Sequence, residues 1–176
     1  MEKFLASIER RAYLMAKIAT GDVDESMDIV QDAMFAMVKK YRNKPNNQWK
    51  PLFHRILQNC IRDWYRRSSV RSRWRILLHG KQRDEDRPGC DPLENIAGSS
   101  CENPDRLAMR GEVFRALASA LAKLPLRQQQ VFMLRAWEGL PVSETAAAMQ
   151  CSEGSVKTHY SRAIQSLRSR LEDHWP

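Results

Sequence analysis

No apolar run in this chain approaches the roughly 18 or more residues that a membrane-spanning helix needs, so no membrane insertion is expected. Glycine is scarce, at 7 residues, and 43% of the chain is apolar, which excludes collagen and a wholly disordered chain. The cysteines, Cys60, Cys90, Cys101 and Cys151, form no CxxC pair and are too few for a disulfide scaffold. His79 precedes Cys90 by eleven residues, but a zinc or redox site needs a further ligand and tighter spacing. No metal and no cofactor are expected. The four histidines are scattered, and neither a glycine-rich phosphate loop nor a Ser/His/Asp or Cys/His arrangement occurs. No catalytic residue is therefore expected, and the chain does not read as an enzyme. Glu2 follows Met1 without a signal-peptide pattern, so a reducing cytoplasm is the expected compartment.

What the chain has is positive charge. Its 176 residues carry 29 Lys and Arg against 21 acidic residues, a net +8 that favours an anionic partner. The charge is divided. Residues 1–67 carry +5, residues 68–105 carry −1 and residues 106–176 carry +4. The middle part gathers Gly80, Pro88, Gly89, Pro92, Gly98 and Pro104 among polar stretches and reads as a flexible linker, because it cannot bury enough apolar surface to offset chain entropy. It is uneven, with seven basic residues and no acid over residues 66–83 and six acidic residues against one basic over 84–102.

Both flanking parts have helical periodicity. Phe4, Leu5, Ile8, Ala12, Met15, Ile18 and Ala19 form one stripe, ended by Gly21. Asp22 or Asp24 can cap a second helix with the stripe Ile29, Val30, Ala33, Met34, Met37, Val38 and Tyr41. After a loop at Pro45-Asn46-Asn47, Pro51 lies in the first turn of a third helix, whose apolar face is Leu52, Phe53, Ile56, Leu57, Cys60, Ile61 and Trp64. Asn103-Pro104 starts a fourth, with Leu107, Phe114, Leu117, Leu121 and Leu124 in its stripe, stopped by Pro125. A short helix from about residue 127 to 137 ends at Gly139, another follows Pro141, and Ser152 caps a last one that buries Val156, Tyr160, Ala163, Leu167 and Leu171. No strand alternation is evident. The expected fold is all-α, two small helical domains joined by a flexible linker.

Residues 144–162 make the most specific pattern. An alanine-rich helix, a turn at Gln150-Cys151 and a capped helix form a helix-turn-helix. The last helix turns Ser155, Lys157, Thr158, His159, Ser161 and Arg162 away from its apolar stripe, a set suited to phosphates and base edges. A solvated helical hairpin would have the same spacing. Gln150 sits where such turns commonly use glycine, so a left-handed backbone there would cost up to about 1–2 kcal/mol. On the second helix, Asp28, Gln31, Asp32 and Phe35 follow i, i+3, i+4, i+7 opposite the apolar stripe, carboxylates around an exposed aromatic. On the third, Arg55, Gln58, Asn59, Arg62, Arg66 and Arg67 take the polar side, and Trp49 stands at the loop edge where it could pack or stack on a base. Trp64 continues the stripe and reads as core.

The segments Leu124-Pro125-Leu126-Arg127-Gln128-Gln129-Gln130-Val131-Phe132, Glu138-Gly139-Leu140, Gly154-Ser155-Val156-Lys157-Thr158, Arg162-Ala163 and Leu167-Arg168 resemble domain 4 of bacterial RNA polymerase sigma factors, most closely the extracytoplasmic-function (ECF) group. Independently, Gly21-Asp22 through Asp28-Ile29-Val30-Gln31-Asp32 resembles that group's core-binding helix, and residues 53–67 its promoter-melting helix. The resemblance implies a sigma factor directing promoter-specific initiation at a stress or envelope regulon. The alternative is a free-standing helix-turn-helix regulator. It further implies domain 2 over residues 1–69, a linker over 70–103 and domain 4 over 104–176. Asp28, Gln31, Asp32 and Phe35 would then bind core polymerase. Trp49, Arg55, Asn59, Arg62, Arg66 and Arg67 would serve the −10 element, with a base pocket at the loop 42–49. Arg135, Ser155, Lys157, Thr158, His159, Ser161 and Arg162 would serve the −35 element. The partners implied are core RNA polymerase (the β′ clamp and β flap), promoter DNA and an anti-sigma factor.

Overall fold

The apolar stripes fold as helices. In the computed structural model, which describes residues 1–79 and 104–171, seven α-helices and no strand occur among the described residues. They are α1 (Glu2–Thr20), α2 (Val23–Tyr41), α3 (Trp49–His79), α4 (Pro104–Ala122), α5 (Leu126–Phe132), α6 (Val142–Met149) and α7 (Glu153–Arg170). A single 3-10 turn, Asn46–Gln48, precedes α3, and α5 runs on into a π turn, Met133–Trp137. The helices fall into two compact units: α1–α3 in the first, and α4, α5, α7 with the greater part of α6 in the second.

In the first unit each helix packs on the other two. Gly21 ends α1 with φ 73°, a left-handed backbone that glycine adopts without penalty, and its N–H donates to the Lys17 carbonyl over 2.8 Å. Asp22 begins α2 at once: its carboxylate accepts the Glu25 N–H over 3.0 Å. Thr20 and Ser26, both buried, bridge the reversal with hydroxyls 2.8 Å apart. The core beneath is Ile8, Ala12, Met15, Ile18, Ile29, Ala33, Met37, Phe53, Leu57, Ile61 and Trp64.

The wheel corrects two expectations from the sequence. Val38 is 40% exposed. At about 100° per residue, the buried face of α2 centres on Ser26, Ala33 and Met37, and Val38 lies more than a quarter turn beyond it. Gln58 is buried rather than on the polar side, because α3 packs against both α1 and α2 and its buried arc widens to include His54 and Gln58. The third helix also continues to His79, ten residues into the span expected as linker. No proline or glycine stands between Pro51 and Gly80 to stop it. The rest of the expected linker, residues 80–103 with Cys90 and Cys101, lies outside the described residues.

In the second unit α4 and α5 both pack on α7. The Gln129 side chain donates to the Leu121 carbonyl over 3.1 Å, beside the Leu124 N–H that donates to the same carbonyl over 3.0 Å, and so ties α5 to the end of α4. Ser152 caps α7 by accepting the Ser155 N–H over 3.2 Å. Val156, Ala163, Leu167 and Leu171 are buried, and Tyr160 half-buried. Gln150 does adopt the left-handed conformation, at φ 53° and ψ 52°.

Replacing Asp22 with Ala should lower the stability of the full chain by about 1 kcal/mol, the usual loss of a capping side chain, read as a shift in urea midpoint.

Candidate partner and nucleic-acid interfaces

The outer side of α2 carries the first candidate face. Phe35 is 70% exposed, with Asp28, Gln31 and Asp32 exposed around it and Lys39 Nζ 5.9 Å from its ring centre. The structure brings these four expected residues together and adds apolar surface that the sequence reading missed. Met27 and Val38 are also exposed, and an open hollow of about 520 Å³ is lined by Gln31, Asp32, Met34, Phe35 and Val38. Wheel geometry is the signal that would have found Val38. An exposed apolar surface flanked by carboxylates is suited to a partner with an apolar centre and a basic rim.

The second face belongs to α3. Arg55, Asn59, Arg62 and Arg66 fall within a quarter turn of one another on the side away from the core. The Arg62 guanidinium donates to Asn59 Oδ1, and Arg66 pairs with Asp63 over 3.1 Å in an exposed, weak ion pair. Arg67 stands apart. It joins Ile29, Asp32, Cys60, Asp63 and Arg66 around a hollow of about 290 Å³ that separates the α2 face from the arginine face. Trp49 lies at the near end of α3, half-buried, its indole N–H donating to the Lys44 carbonyl over 2.8 Å and its ring 5.7 Å from that of Phe4. With Met1, Glu2, Lys3, Leu5, Val38 and Arg42 it lines an open cavity of about 600 Å³. Trp64 is core, as its stripe position predicts.

The third face is the outer side of α7. Lys157, Thr158, Ser161 and Arg162 are exposed. His159 and Ser155 are half-buried at its flanks, nearer the packed side than the sequence reading has them. The Ser155 hydroxyl lies 2.9 Å from that of Ser152, and Thr158 donates to the Gly154 carbonyl over 3.0 Å. Thr158 is thus engaged with its own helix backbone, beside Lys157, Ser161 and Arg162 on the same exposed side. Arg135 sits off it, half-buried, its guanidinium donating to the Leu140 carbonyl and lying 5.9 Å from the Tyr160 ring centre.

Among the described residues, no cluster of His, Cys, Asp or Glu could hold a metal ion, and no helix is long and apolar enough to cross a membrane. Cys60 and Cys151 are half-buried free thiols rather than full core residues. Burial pushes the Cys60 thiol above its ordinary value, and the charges of Asp32 and Asp63 push it further, against a smaller opposite pull from Arg67. A raised value leaves less thiolate at any given pH. Iodoacetamide should thus modify Cys60 more slowly than a free thiol, and Asp32→Asn should speed the reaction, followed by peptide mass spectrometry at a common pH.

Residues 114–167 match the family Sigma-70, region 4. The chain is 27% identical over 152 residues to the ECF RNA polymerase sigma factor SigX of Bacillus subtilis, covering 86% of this chain and 73% of that one. It is 24% identical over 155 residues to the RNA polymerase sigma-H factor of Pseudomonas aeruginosa, covering 86% and 75%. Its fold resembles that of the sigma factor RpoE from Bartonella quintana, solved in complex with the anti-sigma factor NepR, with a TM-score of 0.69, 20% identity and coverage of 99% of this chain and 98% of that one. With a region 4 match on the helix-turn-helix and sigma factor relatives that extend across both units, the chain is similar along most of its length to the extracytoplasmic-function group of RNA polymerase sigma factors.

Proposed function

We propose that this sigma factor divides its work among three faces: α2 docks on core RNA polymerase, α3 engages the −10 element, and α7 reads the −35 element. The observation that carries the reading is Phe35, 70% exposed and ringed by Asp28, Gln31 and Asp32 on the side of α2 opposite the core. A helix-turn-helix is common to sigma factors and free-standing regulators, whereas exposed Phe35, Met27 and Val38 together among carboxylates are the kind of apolar surface that a partner covers. The partner surface on core polymerase is the β′ clamp, with the β flap meeting the second unit. In this reading the chain carries no chemistry of its own and acts in the cytoplasm, where the polymerase supplies catalysis.

On α3, the outward run Arg55, Asn59, Arg62 and Arg66 follows the phosphate backbone, with Arg67 at its edge. Trp49 borders a cavity large enough for a base removed from the stack, and stacking there would offset part of the few kcal/mol that unstacking costs. The boundaries of the two recognition domains are proposed at residues 1–69 and 104–176, with 70–103 between them. An anti-sigma partner is proposed as well, supported by the complex in which the Bartonella quintana sigma factor was solved.

On α7, the Ser152 cap leaves the first turn's N–H groups and positive dipole end toward the approaching duplex. Arg162 has the planar fork that pairs with a guanine edge, and Lys157 is a point charge suited to a phosphate. Ser155, Thr158, Ser161 and His159 complete the face.

Two experiments test these assignments. Changing Asp28 and Asp32 together to Lys should abolish binding to core polymerase while leaving helicity intact, and unchanged affinity in a pull-down would remove the α2 assignment. With core polymerase present, Arg162→Ala should cost roughly 1–3 kcal/mol and relax preference at one −35 base pair. In the same assay, Lys157→Ala should weaken all promoters alike and lower the salt slope by about one unit.

A further inference from the structure

The contacts of Arg135 differ from those of a residue free to meet DNA. Its guanidinium donates to the carbonyl of Leu140, a residue only 2% exposed, and lies 5.9 Å from the centre of the Tyr160 ring, within the range of a cation–π contact. Leu140 is tied from both sides: its N–H donates to the Leu134 carbonyl over 2.9 Å while its carbonyl accepts from Arg135. Gly139, at φ 68°, brings the chain back over the π turn so that both bonds can form. One side chain thus joins the π turn, the loop entering α6 and the recognition helix.

The hydrophobic stripe of α7 contains no directional contact of its own. It consists of Val156, Ala163, Leu167 and Leu171, small or aliphatic groups whose attraction has no direction. A helix is roughly 10–12 Å across with its side chains, so a rotation of about 20° moves a side-chain tip by about 2 Å. That displacement exceeds what a bidentate hydrogen bond to a base edge tolerates. A directional contact at the edge of the stripe opposes such a rotation, and Tyr160 is at that edge, about 60° around the helix from Lys157.

We propose that Arg135 is a positioning residue for −35 reading, holding α7 in its reading rotation through Tyr160 and the Leu140 carbonyl instead of touching DNA. The proposal rests on the assignment of α7 as the −35 reader. It is tested in holoenzyme reconstituted from core polymerase and the full chain, by run-off transcription from a promoter with single-base −35 variants at several salt concentrations. Arg135→Gln and Tyr160→Leu should each reduce discrimination at more than one base pair by roughly three- to tenfold. The double variant should be no worse than the more affected single, and the salt slope should stay at the parent value. Tyr160→Phe keeps the ring face and should behave as the parent. A salt slope lowered by about one unit in Arg135→Gln would mean a phosphate contact and would overturn the proposal. Parent-like discrimination in Tyr160→Leu would overturn it too. If Arg135→Gln does not fold, the two Tyr160 variants still decide: loss with Leu but not Phe supports positioning, and equal behaviour of the two overturns it. Arg162→Ala in the same assay separates the underlying assumption, since parent-like preference in that variant removes α7 as reader, whatever Tyr160 does.

Discussion

Every helix of this protein buries one stripe, and a chain of such rods forms a core only where it can reverse abruptly without leaving backbone groups unpaired. Three left-handed residues do this among the described segments: Gly21, Gly139 and Gln150. Each lets a helix or turn end and the next start within a few residues, with its neighbours hydrogen-bonded across the corner. Two are glycines and incur no steric cost. The third is a glutamine, and its strain is held by the packing on either side of the turn.

From those reversals follows the separation of packing from recognition. In the first unit the stripes of α1, α2 and α3 close on one another, which leaves the outer sides of α2 and α3 to carry what the core cannot take. Phe35 with its carboxylates and the arginines Arg55, Arg62 and Arg66 stand on such sides, and Asp32, Cys60 and Arg67 meet in the hollow between them. The two faces have opposite charge and are held on helices that share a core. In the second unit, packing of α4 and α5 against α7 leaves Lys157, Ser161 and Arg162 outward.

Much of the candidate site was legible because helical spacing alone assigns faces. Asp28, Gln31, Asp32 and Phe35 share a side at any tilt of α2, and Ser152 before a periodic run identifies a cap before any packing is known. Resemblance to domains 2 and 4 of sigma factors added roles to positions that spacing had only grouped. What was missed lay at stripe edges. Val38 and Gln58 sit where burial depends on whether one helix or two pack against that side, and a stripe drawn from one helix carries no such information. Arg135 was grouped with the −35 residues by resemblance alone, and its contact with Tyr160 is one that no helical spacing shows.

The sequence by itself determined the all-α class, the order of the helices, the Ser152 cap and most of the outward chemistry of α2, α3 and α7, because each depends on residues within a few positions of one another. Tertiary structure decided how wide each buried arc is, that Arg67 faces Asp32 across a hollow while Arg55 and Arg62 face away, and that Arg135 lies against Tyr160. Those outcomes depend on pairs separated along the chain, whose approach is set by the angle at which helices pack, and no local pattern of residues encodes that angle.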